Sequence, residues 1–540
     1  MSISRDKLLL INASRFYCVT KHPQLILYCA QRDDELPFSS FSEALNSNNY
    51  RSLFHPVAYV VISESLTECV LIRDHLGLRP LYYYYQSGQI IFGNTISDIM
   101  HRLSKAPDLL DSEIAHLFGD AYSYTDNTLY KDIYRVEPGH MVHIKTSGCI
   151  VKSAFWQLEQ EGNTLHYRDD REYLEHFTSL MQESVKNATK SVSSIAAEFS
   201  AAMDSTAIYG TCVTLGLNPA LFMHEPPTEF FNTQTYNACY EKAVLTQYPS
   251  VIIHRIKPSD FNAIRMFQNY SQWLSGPLYV FELFAQPIHE AVSQAEYQIL
   301  LSGFGVDQGV SSHILTRFII PSLINGKHFH KTWAESSSMR RISRLVLLAK
   351  LSHPLLHQLI QAIQDLRLNT SNAFKKESQK TMISTHPYHR HYFKTLREAE
   401  WSFLQGPNSH EVRMRIEYSS IVAKKMGFEY RYPLLHPKLL EFFISLPIEQ
   451  KRHQSAGRYL MRRYLASILQ TAPFNTYKKI EGLNIIPSLD TFKAQWERGV
   501  FRDEFQRLPF KQLTQDKSLH KGMIKNIQAF MLNECLNLIH

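Results

Sequence analysis

One short stretch, "SIAAEFSAAMDSTAIYGTCVTLG" at residues 194–216, constrains the fold of this chain most strongly. An apolar run ends at Phe199, a polar loop that contains Asp204 follows, and the loop leads into a helix-like segment. A strand, a tight loop with hydroxyls and a carboxylate, and a helix that opens on that loop commonly hold a nucleotide phosphate. Such loops normally carry glycine because the backbone must approach the phosphates closely, but Ala201 and Ala202 stand here. The stretch predicts either a nucleotide loop without its glycines or an ordinary strand-turn-helix.

The pattern around this stretch predicts a parallel sheet with helices on both faces. From residue 171, strand-like segments alternate with helical ones; they are "SIAAEF", "ALFMHE" (220–225), "SVIIHRI" (250–256) and "YQILLSG" (297–303). Ligands bind such sheets at the carboxyl ends of the strands. Both "FSAAMDS" and "LLSGFGVDQG" (300–309) follow strand ends, so one site can hold both loops.

The first part of the chain, to about residue 155, is predicted to be rich in β-structure. Short β-branched and aromatic runs are separated by turn residues, and "MVHIKTSGCIVK" (141–152) reads as a final hairpin. Polar residues 158–170 are the predicted linker, which gives domains at 1–165 and 171–540. Residues 314–475 are predicted to be almost wholly helical, with many arginines, lysines and histidines.

Composition excludes several classes of protein. A chain of 540 residues exceeds what one core usually serves, and 44% apolar with 20% charged residues is typical of a folded globular protein. A net charge of +7 does not by itself call for nucleic acid. The seven scattered cysteines form no CxxC pair and are read as reduced thiols without structural zinc. Since no stretch approaches the roughly 20 apolar residues of a membrane span, we expect a soluble, cytoplasmic protein.

Five segments, in order along the chain, resemble the asparagine synthetase superfamily. "LIRDHLGLRPLYYY" (71–84) and "TLYKDIYRVEPGHMVHI" (128–144) resemble the end of its glutaminase domain. "EFSAAMDST" and "LLSGFGVDQG" are similar to its two pyrophosphate-binding loops. "RIEYSSIVAKKMGFEYRYPLLHPKLLEFFISLPIEQKRHQSAGRYLMRRYLASIL" (415–469) is similar to its C-terminal helical segment over its whole length. The superfamily includes β-lactam synthetases and lasso-peptide cyclases.

The resemblance implies an α/β fold class with two domains. The first is a β-rich, glutaminase-like domain of the Ntn type, and the second is an α/β synthetase domain of the adenine-nucleotide-hydrolase type with a large helical C-terminal part. It also implies a reaction in which ATP, with magnesium, adenylates a carboxylate, pyrophosphate leaves, and an amine attacks the acyl-adenylate. Such a site must align the carboxylate with the α-phosphorus and stabilise developing charge.

The resemblance assigns two magnesium ligands and a set of ATP contacts. Asp204 and Asp307 fall on the family's two metal-binding carboxylates, and magnesium prefers such hard oxygen ligands. A helix N-cap for Asp204 and a turn residue for Asp307 are the alternatives. The ATP-binding residues implied are Ser200, Ala201, Ala202, Asp204, Ser205, Phe222, Gly303, Phe304 and Gly305.

Three further residues take catalytic roles by resemblance. Lys478 or Lys479, with Lys478 favoured, falls on the lysine that neutralises the phosphates, whereas a solvated loop lysine is the alternative. Glu417 falls on the carboxylate that β-lactam synthetases use to support deprotonation of the amine, with a plain helix-surface glutamate as the alternative. Arg431 is expected to order the helical domain.

Three departures from the family pattern weaken the nucleotide chemistry. If Ala201 or Ala202 needs a positive φ, each costs about 1–2 kcal/mol. Val306 and Gln308 replace a glycine and a glutamate of the second loop. Phe304 stands where asparagine synthetases have a glutamate and β-lactam synthetases a tyrosine, so a Tyr–Glu base pair is expected to be absent.

The glutaminase-like domain is expected not to hydrolyse glutamine. Residue 2 is serine where the family exposes a cysteine, and the arginine-glycine-proline-aspartate and asparagine-glycine-glutamate segments are missing. The same loss occurs in β-lactam synthetases and lasso-peptide cyclases, whose substrate supplies the amine.

These features give competing functional hypotheses. The first is an ATP-dependent amide-forming ligase, either a lasso-peptide cyclase or a related tailoring ligase, with an ammonia-using asparagine synthetase as a variant. The second is a non-catalytic protein that binds a peptide or protein. The expected partners are a small-molecule or precursor-peptide substrate and a protein of a biosynthetic cluster. The basic residues at 327–350 could bind an acidic partner or form a solvated helix face.

Overall fold

The structure is a computed structural model that describes a large part of the chain. The described residues are 9–12, 17–22, 25–29, 40–54, 56–86, 88–105, 107–113, 125–224, 236–256, 269–270, 272–275, 281–305, 309, 396–406, 409–453 and 456–470. The predicted helices at 314–395, the basic residues 327–350 and Ser2 lie outside them.

Two sheets form the N-terminal part, as the β-rich pattern predicts. Their strands are β1 Leu9–Asn12, β2 Tyr17–His22, β3 Leu25–Cys29, β4 Ala58–Ser63, β5 Glu68–Arg73, β6 Tyr82–Gln86, β7 Gln89–Gly93, β8 Ile133–Arg135, β9 His140–Lys145 and β10 Ile150–Ala154. One sheet has the order β1-β7-β6-β8 and the other β10-β9-β5-β4-β3-β2. The predicted hairpin at 141–152 is the antiparallel pair β9–β10.

The central strands β4 and β5 are apolar between their end residues because both of their faces are buried there. Val60 and Leu71 pack against Ile90 of the other sheet. Val61 and Val70, on the opposite face, belong to a core that continues into the C-terminal domain. One face therefore joins the two N-terminal sheets, and the other shares a core with the second domain.

The C-terminal domain contains the predicted parallel sheet. Its strands are β11 Ile195–Glu198, β12 Ala220–His224, β13 Ile253–Ile256, β14 Ile299–Leu301 and β15 Glu429–Arg431. Their order is β13-β12-β11-β14-β15, and every neighbouring pair is parallel. The order reverses beside β11, which is where such sheets bind ligands. A short antiparallel pair, β16 Arg452–His453 and β17 Ala456–Gly457, stands apart.

Helices cover the sheets and fill the C-terminal region. They are α1 Phe41–Ala44, α2 Ile96–Met100, α3 Asp170–Thr189, α4 Met203–Thr214, α5 Tyr236–Gln247, α6 Phe281–Gln294, α7 Leu396–Leu404, α8 His410–Lys425, α9 Pro437–Ser445, α10 Ile448–Lys451 and α11 Tyr459–Ile468, with 3₁₀ turns at Ser47–Tyr50 and Pro433–Leu435. The helical prediction is confirmed over residues 396–470. None of the helices described is long and apolar enough to cross a membrane.

Helix α3 begins where the predicted linker ends. The Asp169 carboxylate caps it by accepting a hydrogen bond from the Arg171 backbone N–H. Upstream, the segment before α3 lies on the helical region: the Leu158 N–H donates to Gln405, and the Leu165 N–H donates to the Ser445 carbonyl. The domain limits at 165 and 171 stay a prediction.

Candidate active site

The two predicted nucleotide loops meet at the carboxyl ends of adjacent strands. Strand β11 leads into one loop and β14 into the other, and Ala197 pairs with Leu301 in register. A Cβ added to Gly303 would lie 3.0 Å from the Ser205 backbone nitrogen, which is tighter than ordinary packing. The backbones therefore touch, and only glycine fits at position 303 without displacing the first loop.

Hydroxyl groups fold the first loop on itself. The Ser200 N–H donates to Ser205 Oγ over 3.3 Å, and the two hydroxyl oxygens are also 3.3 Å apart. Ser205 Oγ in turn donates to the Ala202 carbonyl over 3.2 Å. Ser205 is buried and Ser200 is exposed, so Ser205 shapes the loop while Ser200 faces outward.

The two alanines that replace glycine differ in conformation. Ala201 is fully buried with φ of 51°, the left-handed region that costs an L-residue about 1–2 kcal/mol. Ala202 has φ of −87° and carries no such strain. Ala202 is also the N-cap of α4 and has no side chain that accepts from the helix, so the first N–H groups of α4 lack a side-chain cap. That arrangement suits an anion.

Arg458 holds the predicted metal ligand Asp204. Its Nη1 donates to both carboxylate oxygens, over 3.0 Å and 2.8 Å, and both side chains are largely buried. Arg458 itself has φ of 60° at the N-cap of α11. Within the described residues no three His, Cys, Asp or Glu side chains group as a metal site. The described donors thus form an ion pair and do not fit a magnesium ion as they stand.

The second loop packs against β15 and the turn that follows it. The Phe304 ring meets the Tyr432 ring edge-on at 6.1 Å, and the Arg415 guanidinium lies 5.7 Å from the Phe304 ring centre. Gly305 has φ of 98°, and a Cβ there would lie 2.2 Å from the Leu435 side chain. The loop residues 303–305 are therefore fixed by close packing.

A polar cluster beside Phe304 was missed by the sequence reasoning. Glu198, the last residue of β11, accepts hydrogen bonds from the hydroxyls of Ser302 and Tyr430. Nη2 of Arg415 lies 3.5 Å from the same carboxylate. His289 Nε2 lies 2.8 Å from the Tyr430 hydroxyl. Five side chains meet here, from β11, α6, the end of β14, α8 and β15, and only a glutamate at the end of an apolar strand signals the cluster in the sequence.

Glu417, the predicted catalytic carboxylate, lies buried against the N-terminal domain. The Tyr82 hydroxyl donates to Oε1 over 2.6 Å, Arg73 donates to Oε2 over 3.0 Å, and Arg135 lies 3.5 Å away. Burial by itself would raise the pKa of Glu417, but the charges of Arg135 and Arg73 and the hydrogen bonds outweigh it and lower that pKa. The described contacts favour an interdomain role, and the catalytic role stays a prediction.

The remaining predicted residues have no described contact with the first loop's carboxylate. The Phe222 ring is 1% exposed and stacks on His254 at 4.5 Å, so its role in ATP binding stays a prediction. Asp307, Lys478 and Lys479 lie outside the described residues, and so do Val306 and Gln308.

Arg431, which the sequence expects to order the helical domain, joins β15 to the end of helix α3. Its guanidinium donates to the Ala188 carbonyl over 3.0 Å and to Glu429 over 2.9 Å. Glu429 also accepts from Arg79 of the N-terminal domain over 2.8 Å. Burial favours a higher pKa for Glu429, but the charge and hydrogen bond of Arg79, followed by those of Arg431, lower its pKa to about 2.

Fold and site together define a two-domain α/β protein with a strand–loop–helix unit at the switch point of its parallel sheet. A family model described as a glutamine amidotransferase domain matches residues 30–156, and one described as asparagine synthase matches residues 288–480. The chain therefore belongs to the asparagine synthetase superfamily, as its sequence motifs predict.

Curated relatives agree with this assignment. Asparagine synthetase [glutamine-hydrolyzing] 3 of Bacillus subtilis (strain 168) is 25% identical over 152 residues, which is 28% of this chain and 24% of the relative. A putative asparagine synthetase [glutamine-hydrolyzing] 2 of Methanocaldococcus jannaschii is 22% identical over 26% of this chain and 27% of the relative. Amidase chyE of Penicillium rubens is 22% identical over 29% and 23%. The chain spans about a quarter of the length of the curated relatives it matches.

Two solved structures overlap with large parts of the chain at low similarity. One is titled the allosteric regulatory enzyme of purine biosynthesis, at 11% identity over 57% of this chain and 59% of that chain. The other is glutamine phosphoribosylpyrophosphate amidotransferase from B. subtilis, at 12% identity over 55% and 58%. Both have a TM-score of 0.14, so neither bears on the fold.

Proposed function

We propose that the protein is an ATP-dependent ligase that activates a carboxylate as its acyl-adenylate and joins it to an amine supplied by the substrate. A lasso-peptide cyclase or a related tailoring ligase is the specific activity that we put forward. An asparagine synthetase is the variant, since two curated relatives carry that name with the qualifier glutamine-hydrolyzing. Because the N-terminal domain lacks the glutamine-binding segments, the variant would use free ammonia. The substrates on this proposal are a small molecule or a precursor peptide, together with ATP.

One observation carries the proposal: the first loop offers an anion site directly against the second loop. The amino end of α4 lacks a side-chain cap, and the exposed Ser200 hydroxyl lies in the loop that opens this helix. Because Gly303 of the second loop has no Cβ, its backbone lies directly against the backbone of Ser205 in the first loop. Uncapped N–H groups and the helix dipole favour the phosphates of a nucleotide at this position.

We also propose that magnesium binds beside this anion site. Asp204 and Asp307 remain the proposed ligands, but Asp204 must first leave Arg458. No step of the proposed reaction passes through the ion. While Asp204 stays paired with Arg458 the two side chains carry no net charge, so the phosphates on this proposal rest on the N–H groups at the start of α4.

The sequence of the N-terminal domain supports an amine that comes from the substrate and not from glutamine. Its sequence lacks the glutamine-binding segments that the family uses. The domain is instead tied to the synthetase domain by buried contacts such as Tyr82 to Glu417. We infer that the domain supports the ligase fold and does not hydrolyse glutamine.

A non-catalytic binding protein is the second candidate, and the Asp204–Arg458 pair favours it. If that pair is permanent, Asp204 cannot bind a metal, and the loop keeps its conformation without this part of the nucleotide site. Ala201 in a strained conformation points the same way, because a working phosphate loop has glycine where the left-handed region is needed. Such a protein would bind a peptide without turning over ATP.

Exchange of labelled pyrophosphate into ATP separates the candidates. We expect exchange with at least one carboxylate from a panel of amino acids and peptides, and reduced exchange in Ser200→Ala. Ser193→Ala is the matched control because Ser193 lies exposed before the other end of the same strand. Absence of exchange across the panel, with no release of ammonia from glutamine, would favour the binding protein. Release of ammonia from glutamine would contradict the assignment of the N-terminal domain.

A further inference from the structure

We propose that Glu198 and Tyr430 form the amine site of this ligase, binding the attacking amine and removing its proton. The inference rests on the proposed function, and it assigns to two residues a role that the family pattern does not place on them. Tyr430 donates its hydroxyl hydrogen to Glu198, so the chain contains a Tyr–Glu pair beside Phe304. This pair differs from the family's Tyr–Glu pair, whose tyrosine position holds Phe304; the absence of that family pair stays a prediction.

The position of the pair suits an acceptor of protons in the second half of the reaction. Glu198 ends the central strand β11 and precedes the Ser200 loop by one residue. Ser302, which donates to Glu198, precedes Gly303 at the contact between the two loops. The pair and the anion site thus share one end of the sheet, where an acyl-adenylate and an amine must meet.

Exposure distinguishes Glu198 from a carboxylate that only holds strands together. Its side chain keeps 20% exposure, whereas those of Glu400 and Lys451, a buried ion pair elsewhere in the domain, are 0% and 1% exposed. Tyr430 is 4% exposed beside it. Two oxygens have about four acceptor positions, so Glu198 keeps one for a further N–H beside its bonds to Ser302 and Tyr430 and its ion pair with Arg415.

Glu417 is poorly placed for the same work. Tyr82, Arg73 and Arg135 of the N-terminal domain surround its carboxylate, and the side chain is only 8% exposed. A carboxylate facing two guanidinium groups is a weak proton acceptor, since their charges stabilise the ionised form. The two glutamates therefore have different roles: Glu417 joins the domains, and Glu198 binds the amine beside the first loop.

His289 and Arg415 tune the pair from its buried side. His289 is completely buried, and burial together with the charge of Arg415 holds its pKa well below the ordinary value, so the ring is neutral. A neutral ring with its proton on Nε2 donates to the Tyr430 oxygen, which leaves the phenol free to donate to Glu198. The Arg415 guanidinium lies 5.8 Å from the Tyr430 ring centre and favours negative charge on it.

The amine nitrogen bonds to the acyl carbon, the carbon–oxygen bond to AMP breaks, and AMP leaves with the bonding pair. One amine proton passes to the Tyr430 oxygen while the phenolic proton passes to Glu198. Proton removal by such a group contributes about 10²–10⁴-fold to a rate.

Half-reaction kinetics test the pair separately from the proposed function. With a carboxylate that supports pyrophosphate exchange, Glu198→Gln and Tyr430→Phe should leave exchange near the wild-type rate. Amide formation with methylamine should fall about 10²-fold or more. Hydroxylamine, which needs less help with its proton, should restore most of the rate. Glu241→Gln, in a helix-surface ion pair, is the matched control. Two results would refute proton removal by Glu198 and Tyr430. One is an unchanged rate of amide formation with methylamine in both variants, and the other is an equal loss of exchange and amide formation.

Binding of an amine tests the site even if no carboxylate supports exchange. Saturation-transfer NMR with methylamine should give a signal from the wild type and from Glu241→Gln, and that signal should be lost in Glu198→Gln. Circular dichroism of each variant establishes that it is folded. Absence of transfer in the wild type, or transfer that survives Glu198→Gln, would refute the amine site whatever the outcome for ATP.

Discussion

Replacing Ala201 with glycine measures the strain stored in the first loop. The substitution removes a left-handed alanine, which is worth about 1–2 kcal/mol in favour of the variant. It also removes a fully buried methyl group, worth about 0.8 kcal/mol, and increases the entropy of the unfolded chain by the equivalent of about 0.4–1 kcal/mol. The opposing terms nearly cancel, so Ala201→Gly should unfold within about 1 kcal/mol of the wild type.

Ala197→Gly is the matched control for that measurement. Ala197 is 1% exposed in strand β11 and is absent from the positive-φ positions, so glycine there relieves no strain. We expect this variant to lose about 1–2 kcal/mol from the lost methyl group and the unfolded-state entropy alone. Urea unfolding followed by circular dichroism compares the two. Equal destabilisation of both variants would refute the strain at Ala201.

Three further predictions concern charged contacts. In a double-mutant cycle, Tyr82→Phe and Glu417→Gln should show a coupling of about 2 kcal/mol in urea unfolding, because they share one buried hydrogen bond. Glu429, with a pKa of about 2 in the fold, stabilises it fully above its ordinary pKa of 4.5 and loses about 3 kcal/mol of stabilisation as the pH falls towards 2. Glu429→Gln should lose that acid dependence, since an amide has no proton to bind in this pH range. Arg458→Ala should lower the free energy of unfolding by about 2 kcal/mol and tighten magnesium binding, measured by calorimetry.

The double-mutant cycle and the Arg458→Ala variant each have a matched control. Tyr83→Phe tests a buried tyrosine of the same strand that does not contact Glu417, and its coupling to Glu417→Gln should be near zero. Arg463→Ala removes a half-buried arginine of the same helix that contacts the Asp170 carbonyl. Coupling as large for Tyr83, unchanged acid sensitivity in Glu429→Gln, or unchanged magnesium affinity in Arg458→Ala would contradict the respective contact.

Local patterns predicted the sheets well because strand and helix signals are short-range. The apolar run before Phe199 and the runs at 220–225, 250–256 and 297–303 all became strands of one parallel sheet. Adjacent strand ends then brought the two loops together, as parallel topology requires. The sequence predicted strain only on the condition that Ala201 or Ala202 needs a positive φ, and the structure meets that condition at Ala201 alone.

Contacts between distant residues could not be predicted from the sequence. Arg458 is 254 residues from Asp204, and no local spacing links a helix-capping arginine to that carboxylate. Glu417 looked like a helix-surface or catalytic glutamate because its partners lie in another domain. Glu198 was passed over inside an apolar strand, and Tyr430 reaches it only once β14 and β15 pair.

Calorimetric titration with ATP tests the central claim that the two loops form a nucleotide site. Gly303→Ala places a Cβ 3.0 Å from the Ser205 nitrogen and should force the loops apart, whereas Gly457→Ala meets nothing within 4 Å. We predict that the wild type and Gly457→Ala bind ATP and that Gly303→Ala does not. No binding to the wild type, or equal binding to all three proteins, would contradict the assignment of these loops.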